Sequence, residues 1–392
     1  MFFIYASGSL FVYALVSKRL ASTPFSGPML FVAAGLIGHA TGVIESIEIV
    51  ESPIVSLLEI TLALLLFTDA MKVHVQPWEA DALFPRRLLL IGMPLTLIAG
   101  TAAAVLVFPA AGFVAAATIA TILAPTDAAL GHAVVSNPRV PIRIREALGI
   151  ESGLNDGIAL PVLLFLIALA GAEEGEALWS LFAKGIGIGV AVGLILGLGA
   201  GAAIRLARRK SWIGGAWTQI AVVAVAFVAF LATDHLGGSG FIAAYVAGHG
   251  FGRIVGEIDE DSGIFAEHMG TGLAMISFLI FGAYILGPNI DSFSMSTVIY
   301  AVLSLTVVRM VPVWISMVRT NVDVPTIGYL GWFGPRGLAS IIFAGVLVEE
   351  AGLIGSELVI GAVIVTVTLS IIAHGATAPV AAERYANWSE SR

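Results

Sequence analysis

Hydrophobic residues fill the chain in long runs, and short segments with charged residues, Pro or Gly separate the runs. A run of about twenty apolar residues is long enough to cross a bilayer as an α-helix. The runs predict thirteen spans, at residues 1–17, 27–44, 54–71, 87–108, 112–135, 142–170, 178–206, 216–234, 239–255, 264–287, 293–316, 326–348 and 356–380. The pattern therefore predicts an all-α polytopic membrane protein.

The composition agrees with this prediction. The chain is 58% hydrophobic and 12% charged, with a mean hydropathy of +0.98. These values exclude a large soluble domain. The absence of Cys excludes a disulfide framework and a thiolate metal site. We predict no resident cofactor and no nucleic-acid partner. The first apolar run lacks a basic segment and a cleavage site, so we predict that it is a retained helix surrounded by membrane lipid.

Charged residues predict the orientation of the spans, because basic residues collect in the cytoplasmic connections of membrane proteins. Acidic residues dominate the intervening connections, for example at Glu173, Glu174 and Glu176. Basic residues fall at alternate connections, among them Lys18, Arg19, Arg86, Arg87, Arg139, Arg143, Arg145, Arg205, Arg208, Arg209, Lys210, Arg253, Arg319 and Arg384. This alternation predicts an N-terminus outside and a C-terminus in the cytoplasm. We expect the membrane to be a prokaryotic inner or plasma membrane, although charge alternation does not identify it.

Thirteen spans can form two inverted six-helix repeats, at residues 1–174 and 211–392, joined by a linker helix at 175–210. Two helices at corresponding positions are interrupted. The fifth span contains "LAPTDAALG" and the twelfth contains "WFGPRGLAS". Pro in the middle of a span frees backbone groups that lipid cannot satisfy but a protein-lined cavity can. Such paired discontinuous helices are typical of the central site of a transporter.

The sixth span contains polar residues at mid-membrane depth, in "GIESGLNDGIALP". At 100° per residue, Ser152, Asn155 and Asp156 share one stripe of the helix, whereas Glu151 faces elsewhere. Arg336 is the basic residue predicted at the same depth, so we predict a structural ion pair between Glu151 and Arg336. Arg309 lies nearer the end of its span and is predicted to extend its guanidinium to the interface.

This set of residue types suits the transport of a hard monovalent cation, which prefers oxygen ligands. Asp156, Asp127, Ser152 and Thr126 can supply such ligands. A proton and a cation become comparable competitors for a carboxylate that is removed from bulk water. If the site changes its access from one side of the membrane to the other only when it carries a proton or a cation, this competition results in coupled antiport.

Three motifs together, "PTDAALG", "ESGLNDG" and "GPRG", resemble the monovalent cation/proton antiporters of the NhaP and sodium–hydrogen exchanger kind. The resemblance covers essentially the whole chain. It implies that Asn155 and Asp156 form the Asn-Asp pair of helix six, which accompanies electroneutral one-for-one exchange. It further implies an unwound crossing at Thr126 and Asp127 and an additional oxygen ligand from Ser152. Glu151 and Arg336 again correspond to a structural ion pair.

The resemblance also implies alternating-access exchange of Na⁺ or Li⁺ for H⁺, a role in pH homeostasis and a homodimer. Asp69 in "LLLFTDA" is a possible additional acidic group near the site. An ion-transport core is expected from about residues 84–172 and 290–382, with the remaining helices forming a dimerisation scaffold. The alternative within the same fold is a K⁺/H⁺ antiporter.

Several interpretations compete with these. The polar cluster of the sixth span could be a helix–helix contact, and Asp127 could cap the half-helix that begins beside it. Gly185, Gly189, Gly193, Gly197 and Gly201 recur every four residues, which predicts close approach of another backbone, either within the chain or in a homodimer. Paired intramembrane aspartates also occur in aspartyl proteases, although "GLND" is not their G-x-G-D pattern. A channel is disfavoured because no carbonyl-filter motif is present.

Overall fold

The structure is a computed structural model. It describes residues 1–20, 23–44, 53–72, 83–135, 137–171, 178–255, 263–351 and 356–391. Every regular element within these ranges is helical. Eight helical segments, some of them made of two or three consecutive helices, are long and apolar enough to cross a membrane by length and composition. They are Ile54–Lys72, Leu83–Val107, Ile142–Ala170, Ala183–Arg209, Gly215–His235, Ile264–Leu286, Met295–Ser316 and Glu357–Glu390.

Seventeen α-helices make up the described part of the chain. They are α1 (Phe2–Leu20), α2 (Gly27–Ala40), α3 (Pro53–Lys72), α4 (Leu83–Arg87), α5 (Met93–Val107), α6 (Gly112–Ile122), α7 (Ala128–Val135), α8 (Ile142–Gly171), α9 (Leu178–Arg209), α10 (Gly215–His235), α11 (Gly240–Val255), α12 (Ile264–Ile280), α13 (Met295–Leu305), α14 (Val307–Ser316), α15 (Val324–Trp332), α16 (Leu338–Ala351) and α17 (Ser356–Glu390). Short π-helices follow α4 (Leu88–Gly92) and α12 (Phe281–Leu286).

The predicted all-α architecture is confirmed, since each of the thirteen apolar runs coincides with one helix or with two consecutive ones. The fourth run consists of α4, a π-helix and α5, and the eleventh is divided into α13 and α14 at Thr306. The last helix continues to Glu390, beyond the predicted end at 380. This extension forms because Ala382, Tyr385 and Ala386 are buried along one face of α17.

The discontinuous fifth and twelfth helices are also confirmed. One interruption separates α6, which ends at Ile122, from α7, which begins at Ala128. The other separates α15, which ends at Trp332, from α16, which begins at Leu338. Each interruption contains a proline, which lacks the N–H that a continuous helix would use.

The chain divides into two compact units, and the division passes through α3, α8 and α12. Unit 1 contains Met1–Val55, Asp81–Asn155 and Ala274–Arg392. Unit 2 contains Ser56–Ala80 and Asp156–Leu273. The assignment of an ion-transport core and a dimerisation scaffold, with its boundaries at 84–172 and 290–382, stays a prediction.

The glycine stripe of α9 packs within the chain, against α11, in unit 2. A Cβ at Gly193 would lie 2.7 Å from the Ala243 carbonyl oxygen, and one at Gly197 would lie 2.3 Å from the Ala247 oxygen. No side chain fits at either position without separating the two helices. The intramolecular interpretation is therefore correct for Gly189, Gly193, Gly197 and Gly201, whereas a Cβ at Gly185 would meet no atom within 4 Å.

Candidate functional site

The two helix interruptions of unit 1 contact each other through their backbones. The Asp127 N–H donates to the Pro335 carbonyl oxygen at 2.8 Å. The Arg336 guanidinium donates from Nη1 to the carbonyl oxygens of Ala124 and Pro125, the latter at 3.1 Å. Buried backbone groups that have lost their helical partners must be paired elsewhere, and each interruption pairs groups of the other.

Three polar side chains donate further hydrogen bonds to the first interruption and to the last residue of α6. Ser152 Oγ donates to the Thr126 carbonyl oxygen at 2.7 Å, and Asn155 Nδ2 donates to Thr126 Oγ1 at 2.7 Å. Ser340 Oγ donates to the Ile122 carbonyl oxygen at 2.8 Å. The structure thus brings together Thr126, Ser152 and Asn155, as the sequence predicted, and adds Ser340.

Asp127 caps two half-helices at once. Its Oδ1 accepts the Leu130 N–H at 3.2 Å, within α7, and its Oδ2 accepts the Leu338 N–H, at the start of α16. A carboxylate is favourable there because helix N-termini carry unpaired N–H groups and partial positive charge. The capping interpretation of Asp127 is therefore correct. Its additional role as an ion ligand stays a prediction.

The predicted ion pair between Glu151 and Arg336 is wrong, because Glu151 pairs with Arg309. Arg309 Nη1 donates to Glu151 Oε1, and Nη2 donates to Oε2 at 2.8 Å. Both residues are buried, with 2% and 3% of their surfaces exposed. Arg309 therefore does not extend to the interface as predicted. Two parallel hydrogen bonds between planar charged groups form the strongest type of ion pair, and this geometry favours Arg309 over a more distant guanidinium.

Arg336 is fully buried and holds the two interruptions together. Besides the two carbonyls that its side chain contacts, its backbone N–H donates to Ser370 Oγ of α17 at 2.6 Å. Ser370 Oγ lies 3.1 Å from His374 Nδ1. Sequence analysis missed Ser370, Ser340 and the partnership of Arg309, because single serines and an arginine near a helix end carry no distinctive spacing.

Charged side chains lie so close to both glycines of "GPRG" that a larger residue does not fit at either position. A Cβ at Gly334 would lie 2.2 Å from Arg309 Nε, and a Cβ at Gly337 would lie 2.0 Å from Asp127 Oδ2. Real Cβ atoms do not approach other heavy atoms so closely, so any larger residue would displace the charged group. The motif therefore provides room for one charge on each side of Arg336.

We expect Gly337→Ala to destabilise the protein, because the new Cβ would push Asp127 away from the two helix ends that it caps. The loss should reach about 2 kcal/mol or more, the range for a broken buried polar network. Gly345→Ala is the matched control in the same helix, since a Cβ there meets no atom within 4 Å. Thermal unfolding in detergent measures both. Equal melting temperatures for the two variants would contradict the crowding argument.

Asp156 follows Asn155 on α8 and belongs to unit 2. The Tyr245 ring lies against Gly157, where a Cβ would be 2.5 Å from Cε2. The charges of Asp156 and Asp69 both act on the Tyr245 hydroxyl. The structure therefore associates Asp69 with Asp156 through Tyr245. Sequence analysis missed Tyr245, which stands among small residues of α11 with no motif around it.

A helical membrane protein in which two interrupted helices cross, with carboxylate, amide and hydroxyl groups at the crossing, has the architecture of a secondary transporter. Comparison with known families agrees. Residues 6–384 match the model of the family described as sodium/hydrogen exchanger, transmembrane. The chain belongs to this family of integral membrane transporters, which are not enzymes, and the aspartyl protease alternative is set aside.

Two relatives resemble the chain in sequence, and one solved structure resembles it in fold. The K(+)/H(+) antiporter NhaP of Alkalimonas amylolytica is 26% identical over 95% of the chain, and NhaP2 of Shewanella baltica (strain OS223) is 25% identical over 67%. The chain spans 65% and 46% of the lengths of these relatives. The sodium proton antiporter MjNhaP1 of Methanocaldococcus jannaschii at pH 8 superposes with a TM-score of 0.76. The identity is 18%, and the match covers 96% of this chain and 98% of that one.

Proposed function

We propose that the protein is a secondary antiporter that exchanges a monovalent cation, Na⁺ or Li⁺, for H⁺ by alternating access. The observation that carries this proposal is the position of the Asn155–Asp156 pair. The Asn155 amide nitrogen is bound to Thr126 at the crossing, while its buried Oδ1 has no hydrogen-bond partner among the described residues. A polar oxygen held in this way fits a hard cation as ligand, and a carboxylate follows it directly in the chain.

Asp156 is the group that we propose for the exchange itself. It is partly buried and directly follows Asn155, whose amide nitrogen is bound at the crossing. In one state it carries a proton, and in the other it binds the cation. The predicted ligand set of Asp156, Asp127, Ser152 and Thr126, with Asn155 beside them, stays a proposal, as does an electroneutral ratio of one to one.

The groups at the crossing also have a structural role in this proposal. Ser152 and Asn155 bind Thr126, and Arg336 binds the carbonyls before it, so the interruption keeps its shape without lipid contacts. A preformed site reduces the cost of ordering ligands around each incoming ion. Positive charge on Arg336 also lowers the net negative charge of the crossing, which favours release of the cation.

K⁺ is the second candidate for the transported cation, because two relatives of the chain bear the name K(+)/H(+) antiporter. The similar solved structure bears the name sodium proton antiporter. Purified protein in proteoliposomes with an imposed pH gradient tests the choice. We expect one of Na⁺, Li⁺ or K⁺ to dissipate the gradient with saturation, and choline not to. Equal, unsaturable dissipation by all four salts would refute exchange.

The proposal retains a homodimer and a role in pH homeostasis. Gly193 and Gly197 of α9 are not available as a dimer surface, because α11 packs against them. Another face of α9 exposes Ile195 and Leu198 and is available for such a contact or for lipid.

Competition at one carboxylate predicts how exchange depends on pH. Below the pKa of the exchanging group, the apparent KM for the cation should rise about tenfold for each unit decrease in pH, and it should be constant above that pKa. The maximal rate at saturating cation should change little. Exchange is measured at several pH values, with a fixed proton gradient and a full cation titration at each. A maximal rate that falls at acid pH despite saturating cation would contradict simple competition.

A further inference from the structure

An aromatic groove runs between α15 and α17 of unit 1. Its volume is about 340 Å³, and it is open along one side. Its floor and walls are mainly rings, and one basic residue stands at its rim: the lining includes Tyr329, Trp332, Phe333, Tyr385, Trp388 and Arg384. No step of the proposed exchange uses this groove.

The groove is fixed before any ligand enters. The rings of Tyr329 and Tyr385 stack with their centroids 4.1 Å apart, and the Tyr385 hydroxyl bonds to Thr326 Oγ1 at 2.8 Å. Trp332 Nε1 donates to Thr377 Oγ1 of α17 at 3.0 Å. These contacts join the two helices, so the walls cannot collapse onto each other. A ligand would therefore bind without the free-energy cost of ordering its site.

Two polar groups of the groove lack protein partners. The Tyr329 hydroxyl is buried and makes no hydrogen bond to another described residue. Arg384 is exposed and forms no ion pair within the described part of the chain. The charges of Glu390 and Glu383 act on Arg139. The apolar groove thus ends at a guanidinium that has no ion-pair partner in the described part of the chain.

Arg139 provides the contrast on the same side of unit 1. Its Nε donates to Glu390 Oε1 at 3.0 Å, and its Nη2 donates to Glu390 Oε2 at 2.9 Å. These hydrogen bonds, together with the charge of Glu390, raise the pKa of the Arg139 guanidinium. Arg139 is therefore a basic residue that already has its anion, whereas Arg384 is not. The charge of Asp323 acts on Tyr385, which lines the groove.

We propose that the groove binds one anionic phospholipid, with an acyl chain along the aromatic rings and the phosphate at Arg384. The groove lies toward the polar end of a membrane-spanning helix, the depth at which Trp and Tyr meet lipid headgroups. Guanidinium groups bind phosphate oxygens through paired hydrogen bonds. A zwitterionic lipid would bring a second positive charge to the rim, and a soluble anion would leave the apolar walls unused.

The groove is joined to the crossing of the two interrupted helices. Trp332 and Phe333 line the groove and lie where α15 ends, and the Trp332 ring lies 4.9 Å from that of His374. His374 in turn contacts Ser370, which holds the Arg336 N–H. A bound lipid would therefore support one position of α15. The effect on transport rests on the proposed function, but lipid binding does not, so the two can fail separately.

Lipid binding is tested on the purified full chain in neutral detergent, by native mass spectrometry with dioleoylphosphatidylglycerol or dioleoylphosphatidylcholine. We expect wild type to retain phosphatidylglycerol preferentially and Arg384→Gln to retain it about tenfold less, the loss of one charge-assisted contact. Arg139→Gln is the matched control and should retain it as wild type does. Equal retention of both lipids by wild type, or equal loss in the two variants, would overturn the proposal.

A second variant tests the groove rather than the charge. Gly328 lines the groove, and a Cβ there meets no atom within 4 Å. Gly328→Leu should therefore fill the groove without disturbing α15. We expect this variant to melt as wild type does without added lipid and to lose the stabilisation that phosphatidylglycerol gives. Glycerol phosphate, which has the headgroup charge but no acyl chain, should not protect wild type. Full protection by glycerol phosphate, or by lipid in Gly328→Leu, would overturn a lipid site.

Discussion

Asp156→Asn is expected to reduce cation-dependent proton exchange to the background of empty liposomes while leaving the protein folded. Asn has nearly the shape of Asp but cannot titrate, so the variant can neither carry the proton nor offer a negative charge to the cation. Folding should be retained because the substitution keeps the size and shape of a side chain that is only partly buried. Exchange in proteoliposomes and thermal unfolding in detergent measure the two effects separately.

Asp234→Asn is the matched control for this prediction. Asp234 lies in unit 2 as the larger part of α8 does, and it is exposed at the end of α10. Its substitution removes the same charge and should leave the rate and the apparent KM unchanged. Exchange at the wild-type rate by a correctly inserted Asp156→Asn protein would refute the role of this carboxylate. A loss of exchange in both variants would indicate an effect of net charge.

The spans and the interruptions could be predicted from the sequence because the bilayer restricts both the length of a spanning segment and the hydrogen bonding of its backbone. Hydrocarbon thickness sets the length of each apolar run, and unpaired backbone groups are excluded from lipid. Pro125 and Pro335 in the middle of apolar runs therefore had to mark places where protein replaces lipid. The contact between the Asp127 N–H and the Pro335 carbonyl shows how the two exceptions satisfy each other.

The partner of Glu151 could not be predicted, because depth and helical angle locate a residue on its own helix only. They do not specify how neighbouring helices are rotated and tilted. Arg336 had the right depth, but its side chain binds two carbonyls of the first interruption. Arg309 was expected near an interface, and the division of α13 from α14 at Thr306 changes the path of the chain just before it.

The glycine stripe shows again that sequence predicts the character of a helix face but not which helix packs against it. A spacing of four residues predicted close approach along one face of α9 correctly, because that depends on helix geometry alone. Whether the approaching backbone belongs to this chain depends on the path of α11. Asp127 likewise carried a correct local signal, an acidic residue at the start of a half-helix. Its second contact, with the Leu338 N–H, depends on a residue far away in the sequence.

The bidentate pair of Glu151 and Arg309 is expected to make the largest contribution to stability among the groups near the crossing. Glu151→Gln or Arg309→Gln alone leaves one buried charge without its partner, so each should lower the free energy of unfolding by about 3–5 kcal/mol. The double variant should cost clearly less than the sum, because no uncompensated charge remains. Arg309→Lys should also be destabilising, since an ammonium cannot form the two parallel hydrogen bonds.

Combining Glu151→Gln with Arg336→Gln provides the comparison for the double-mutant cycle. The charges of these two residues act on each other, but Arg336 bonds to carbonyls and not to Glu151. Their coupling should therefore be well below that of Glu151 with Arg309. Equilibrium unfolding in mixed micelles gives all the free energies on one scale. Additive effects for Glu151 and Arg309, or stronger coupling to Arg336, would contradict the ion pair, because an interaction that is absent has no free energy to recover when both partners are removed.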